Sequence, residues 1–113
     1  MTINSLEDFL LIKLMEEAAE IQQRAAKYLQ FGPTEVQRDT LANNRERLAA
    51  ECQDFLSIIY LMNITGMGPI DATYSQEAAD AKTRKMCRYA EISVREGTMA
   101  PEVYNQLLAL RPT

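Results

Sequence analysis

Apolar residues recur every three or four positions through three long stretches of this chain, and glycine–proline groups separate the stretches. A period near 3.6 suits a helix with one buried stripe and cannot be laid out as a half-buried strand, so it constrains the fold more than any other feature. No period-2 alternation of useful length competes with it, and no internal repeat appears. The first stretch spans about Ser5 to Gln30. Ser5, with Asp8 three residues later, is a capping-box-like start, and Gly32-Pro33 is a stop. Leu11, Met15, Ala18, Ile21 (or Gln22), Ala25 and Leu29 form its expected apolar stripe. Such a helix is about 39 Å long at roughly 1.5 Å per residue.

Residues from Pro33 to about Asn43 are polar and aperiodic, which predicts a loop. Asn44 is the expected N-cap of a second helix that runs to about Asn63 and buries Leu48, Cys52, Phe55, Ile59 and Met62. Gly66-Met67-Gly68-Pro69 breaks the chain. A third helix begins between Asp71 and Ser75 and ends at Gly97, a good residue for the position after a helix C-cap. Pro101 then suits the first position of a short last helix, Glu102 to Leu110. The expected architecture is one all-α domain over residues 1–113, a helical bundle of three long helices plus a short C-terminal helix. A chain of 113 residues buries only a modest core, so a second subunit is expected to complete it by oligomerisation.

Composition removes whole classes of function. Hydrophobic content of 47% and charged content of 25% fit a soluble globular protein. A net charge of −4 offers no broad basic surface for nucleic acid. Histidine is absent, which excludes imidazole-based zinc sites, Ser-His-Asp triads and Glu-x-x-His di-iron bundles. Cys52 and Cys87 are far apart and show no CxxC spacing, so reduced thiols are expected. The opening MTINSLEDF lacks a positive region followed by a long apolar core, and the apolar run Ile58 to Met62 is too short to span a bilayer. A cytoplasmic location without membrane attachment is the expectation.

The acidic residues carry the functional signal. Helix one contains Glu16-Glu17-Ala18-Ala19-Glu20, in which Glu17 and Glu20 emerge side by side and Glu16 flanks them. Helix two contains Glu51-Cys52-Gln53-Asp54, again two carboxylates three residues apart. Asp54 opens the run Phe55-Leu56-Ser57-Ile58-Ile59-Tyr60-Leu61-Met62, apolar nearly all round, so it is expected at or near the interior. Burying an unpaired carboxylate costs several kcal/mol, which calls for a cation, donors or a proton. Either acidic motif alone is commonplace on a solvated helix face. On successive packed helices they converge on an oxygen-rich site suited to Mg²⁺ or Mn²⁺, and Mg²⁺ often binds substrate phosphates as well.

At these residues the chain resembles the all-α nucleoside triphosphate pyrophosphatase superfamily, specifically MazG-like proteins, including short versions encoded by phages. The signature is EExxE followed by ExxD, here Glu16-Glu17-Ala18-Ala19-Glu20 and Glu51-Cys52-Gln53-Asp54. Lys13-Leu14-Met15, Phe31-Gly32 and Asn44-Arg45-Glu46-Arg47-Leu48 match around the motifs, and the resemblance covers roughly residues 8 to 97. It implies cleavage between the α and β phosphates of a nucleoside triphosphate, giving a monophosphate and pyrophosphate. It implies Glu17, Glu20, Glu51 and Asp54 as metal ligands, Glu16 as a further ligand or water-orienting carboxylate, and Lys13 near the phosphates. It also implies a homodimer or a tetramer built from dimers. Gln53 stands where many relatives have a small residue, and there is no tryptophan to frame a base, so no base preference carries over.

In such a mechanism Glu16 or Glu20 takes a proton from the attacking water. The pyrophosphate leaving group calls for cations, and Lys82, Arg84, Lys85 and Arg88 place four of the twelve basic residues within seven positions. A solvated basic face pairing with Asp80 or Glu91 is the bland alternative for any one of them. Cys52 and the six methionines are expected as core filler, and Tyr60 and Tyr89 as packing residues rather than base-stacking ones. The same scaffold could serve deoxyuridine triphosphate or phosphoribosyl-ATP cleavage. From another class, the chain could be a non-catalytic helical module that binds a nucleotide or a protein and keeps the carboxylates as a structural metal site.

Overall fold

The computed structural model describes residues 2–36, 41–66 and 72–113. It contains four helices, α1 (Leu6–Phe31), α2 (Asn44–Ile64), α3 (Gln76–Arg95) and α4 (Pro101–Leu108). There is no strand among the described residues, only an isolated bridge between Val36 and Asn43. The all-α class is therefore as the periodicity predicts. The chain divides into two compact units, Met1–Ala72 and Thr73–Thr113.

In the first unit α1 packs against α2. The Ser5 side chain accepts from the Asp8 amide at 3.0 Å, and Gly32 ends the helix at φ +89°, a conformation that favours glycine. The cap of α2 falls one residue earlier than the sequence suggests. Asn43, not Asn44, accepts from the Glu46 amide at 2.9 Å, while the Glu46 carboxylate accepts from the Asn43 amide at 3.2 Å, a complete capping box. Asn44 instead is fully buried. Its amide nitrogen donates to the Gly32 carbonyl at 2.9 Å and to the Glu35 carboxylate at 2.8 Å, tying the start of α2 to the end of α1. The expected loop over 33–43 and the break at Gly66–Pro69 lie in part outside the described residues, as does an α3 start at Asp71.

The buried stripe of α1 differs from the expected one. Met15 and Leu29 are 70% and 86% exposed, so neither belongs to the seam with α2. Leu11, Ala18, Ile21 and Ala25 of the expected stripe are half-buried, and a series at alternating spacings of four and three, Leu10, Leu14, Glu17, Ile21, Arg24 and Tyr28, is buried or half-buried as well. On α2 the same spacing runs through Asn44, Leu48, Glu51, Phe55, Ile58 and Met62. This is the seven-residue repeat of two helices packed along their length, except that charged residues occupy some seam positions. The apolar run after Asp54 is not buried all round either: Leu56, Tyr60 and Ile64 follow one another at i+4 on an exposed face. Nor are the methionines uniformly core, since Met62 is fully buried while Met15 and Met86 are exposed.

In the second unit Ser75 caps α3, accepting from the Ala78 amide at 3.2 Å. The helix closes with paired bonds from Thr98 to the Ser93 carbonyl at 2.8 Å and from Gly97 to the Val94 carbonyl at 3.1 Å. That pattern needs a left-handed residue, and Gly97 supplies it at φ +79°. Pro101 opens α4, which ends at Leu108, two residues before the expected limit. Cys87 and Ala90 are the buried residues of α3 and Cys87 approaches Leu107 of α4. None of the helices among the described residues is long and apolar enough to cross a membrane.

Candidate metal centre

The antiparallel packing of α1 on α2 brings the two acidic motifs to one level. One carboxylate oxygen from each of Glu17, Glu51 and Asp54 lies within 4.8 Å of the other two. Glu20 is exposed and is not one of the three, but it stands close enough to Glu51 to raise the Glu51 pKa. Glu17 Oε2 and Glu51 Oε2 are shut off from solvent and have no hydrogen-bond partner. Asp54 is exposed rather than interior, a departure from the expectation built on the apolar run that follows it. It reaches the group from the rim of the seam.

The electrostatics follow from this crowding. Loss of solvent pushes the Glu17 carboxyl above its ordinary pKa, and the charges of Glu20, Asp54 and Glu16 push the same way, with Lys13 opposing. Glu51 is raised first by the nearby Glu20 side chain, then by loss of solvent and by the charges of Glu20, Asp54 and Glu17. Both shifts say that the ionised cluster lacks a counter-charge. A proton relieves that at low pH, and a divalent cation would relieve it at neutral pH.

The donor set fits a hard cation. Six-coordinate Mg²⁺ at roughly 2.1 Å from oxygen puts neighbouring ligands about 3.0 Å apart and opposite ones about 4.2 Å apart. Oxygens already within 4.8 Å of one another need only small side-chain movements to reach that geometry. Two orphaned inward oxygens are the atoms such an ion would bond.

The remaining expected site residues distribute differently. Glu16 is turned to Lys13, with Nζ to Oε2 at 3.0 Å, and Lys13 sits 5.6 Å from the centre of the Phe9 ring. That exposed ion pair stands beside the carboxylate group and Glu16 is not one of its three converging residues. Lys82, Arg84, Lys85 and Arg88 all lie on α3, in the second unit, and all are exposed. Among the described residues none of the four forms an ion pair, so the pairing with Asp80 or Glu91 does not occur. Asp80 accepts from Gln76 instead, at 2.8 Å. Arg84 and Arg88, but not Lys82 or Lys85, line a cavity of about 210 Å³ together with Cys87, Glu91, Tyr104 and Arg111. Tyr60 and Tyr89 are exposed and Cys52 is half-buried.

Sequence reasoning passed over two charged residues, Arg24 in the α1 seam and Arg47 flanking the α2 seam, each half-buried with an Nη1 that has neither solvent nor, among the described residues, a partner. The signal was present in the spacing, since Arg24 lies seven residues after Glu17 and Arg47 seven before Asp54. No family model, curated protein or solved structure matches the chain.

Proposed function

We propose that the chain belongs to the class of helical hydrolases that work through carboxylate-held divalent metal, with Glu17, Glu20, Glu51 and Asp54 as the ligand set. Within that class we propose a Mg²⁺-dependent nucleoside triphosphate pyrophosphohydrolase that cleaves the α–β phosphoanhydride and acts as a homo-oligomer. One observation carries the reading: three carboxylate oxygens from two helices converge within 4.8 Å, two of the carboxyls holding an inward oxygen without a partner.

Bound Mg²⁺, or Mn²⁺ in its place, would neutralise phosphate oxygens and lower the pKa of a coordinated water. The chain's own residues supply the rest. Glu17, Glu51 and Asp54 fix the position of the charge. Glu20, exposed at the edge of the group beside Glu51, is the carboxylate best set to accept a proton from the attacking water. The same task is less suited to Glu16, because its ion pair with Lys13 occupies it. Water delivered in this way attacks the α phosphorus and pyrophosphate leaves.

A panel of nucleoside triphosphates assayed for pyrophosphate release with Mg²⁺ tests the proposal. At least one is hydrolysed, and Glu17→Gln or Asp54→Asn reduces the rate by about a hundredfold or more, since loss of even an outer partner of a metal ligand costs roughly 10- to 100-fold. A wild-type protein that binds Mn²⁺ yet releases pyrophosphate from none of the panel is a binding module, not this enzyme.

A further inference from the structure

Beyond the carboxylates the seam carries positive charge. On α1, Glu17, Glu20 and Arg24 stand at i, i+3 and i+7, and on α2, Arg47, Glu51 and Asp54 stand at i, i+4 and i+7. Each set therefore forms one ridge along its helix. The relative level of the two ridges is pinned on both sides. Glu20 meets Glu51, and nearer the connecting loop Arg45 donates to the Tyr28 hydroxyl at 3.3 Å. Arg24 and Arg47 fall between those two contacts. They stand at one level, about 6 Å beyond Glu20 and Glu51 at roughly 1.5 Å per residue.

Arg24 and Arg47 are both half-buried, on facing helices at one level of the seam. Among the described residues neither forms an ion pair or donates a hydrogen bond, and each has an Nη1 cut off from water. Apolar residues would serve packing better at both half-buried positions, and an anion would satisfy the guanidinium nitrogen of each that lies out of reach of water. The adjoining cluster already presents an unmet need for a cation. A single ligand satisfies both halves of the seam if it is a polyphosphate, held by metal at one end and by guanidinium forks at the other.

We propose that Arg24 and Arg47 form a paired clamp for the pyrophosphate portion of the substrate, the part that becomes the leaving group. The clamp rests on the reading of the carboxylates as a metal site. It assigns to two residues of the first unit the charge compensation that the clustering of Lys82, Arg84, Lys85 and Arg88 suggests for α3.

Titration of the full-length protein separates the clamp from that reading. Mn²⁺ binding, followed by the loss of the free-ion paramagnetic resonance signal, reports on the carboxylates. Inorganic pyrophosphate binding, followed by calorimetry with and without Mn²⁺, reports on the arginines. Arg24→Gln and Arg47→Gln each weaken pyrophosphate binding at least tenfold and leave Mn²⁺ binding unchanged or tighter. Arg24→Lys retains part of the affinity, because charge survives without the planar fork, and it replaces the glutamine variant if that variant does not fold. Unchanged pyrophosphate affinity in these variants overturns the clamp even where Mn²⁺ binds. So does unchanged affinity accompanied by a shift in sedimentation, which assigns the guanidinium groups to carboxylates of a second copy. Wild-type protein that takes up no Mn²⁺ overturns the metal reading instead, and the pyrophosphate titration without metal still judges the arginines.

Discussion

Glu17 and Glu51 occupy positions where a pair of packed helices ordinarily keeps leucine or isoleucine, and their raised pKa values record the strain of holding them ionised there. The sign of the pH dependence follows. A carboxyl whose pKa is higher in the folded than in the unfolded chain binds more protons when folded, so its contribution favours folding at low pH. That contribution is complete below the ordinary glutamate range and is lost as pH rises through the raised values. In the presence of a chelator, Glu17→Gln therefore flattens the fall in melting temperature with rising pH over that window. With saturating Mg²⁺ the wild-type slope reverses, because the ion binds the deprotonated carboxylates and competes with protons. Glu51→Leu raises the melting temperature of the metal-free protein by a few degrees and abolishes the Mg²⁺-dependent rise. Thermal scans at several pH values, with and without Mg²⁺, check all three expectations. A melting temperature indifferent to Mg²⁺ at every pH would remove the basis for reading these carboxylates as ligands.

At the scale of the helix, much was legible because it depends on local chemistry. Ser5, Gly32, Gly97 and Pro101 act where they stand, through one hydrogen bond, one positive φ or one fixed φ, and the helix limits follow them closely. Two features were not legible. Adjacent asparagines at 43 and 44 are equally good caps on paper, and only the path of the chain from Gly32 decides that Asn43 caps while Asn44 is buried against Gly32 and Glu35. The seam of α1 was misread for a related reason. A search for an uninterrupted apolar stripe selects Met15 and Leu29, whereas the real seam accepts Glu17 and Arg24 among its apolar members. A functional site built into a packing seam hides the seam's period from any count of apolar residues. The asparagines give a direct comparison. Asn43→Ala removes an exposed cap and costs about 1 kcal/mol. Asn44→Ala removes two part-buried hydrogen bonds and leaves the Gly32 carbonyl without its donor, which costs about 2 kcal/mol or more. Urea unfolding of both variants at unchanged m-value checks the order, and equal costs would mean that the junction relaxes.

Few apolar residues of the molecule are fully buried among the described ones. Leu10, Met62, Cys87 and Ala90 are its buried apolar residues among those described, while Leu56 and Tyr60 on α2 remain 55% and 61% exposed. Together with Ile64 they continue one another at i+4, a contiguous apolar edge on the side of α2 away from its seam residues. A surface of that kind is where the proposed homo-oligomer would make its contact. The proposed homo-oligomer covers it with a second copy, and this makes folding and assembly one equilibrium. The melting temperature then rises with protein concentration, and sedimentation gives a dimer or tetramer at micromolar concentration. Leu56→Asp with Tyr60→Asp shifts the protein to monomer, because two carboxylates cannot be desolvated against an apolar partner. Assembly also bears on the chemistry. If the Glu17–Glu51–Asp54 geometry is held by the hairpin alone, the monomeric variant still binds Mn²⁺ with wild-type affinity while its helicity is retained. If the hairpin needs a second copy to stay packed, Mn²⁺ binding and helicity are lost together. A concentration-independent melting temperature in a wild-type monomer would leave the apolar edge uncovered and end the oligomeric proposal, while the carboxylate geometry within one hairpin would stand untouched.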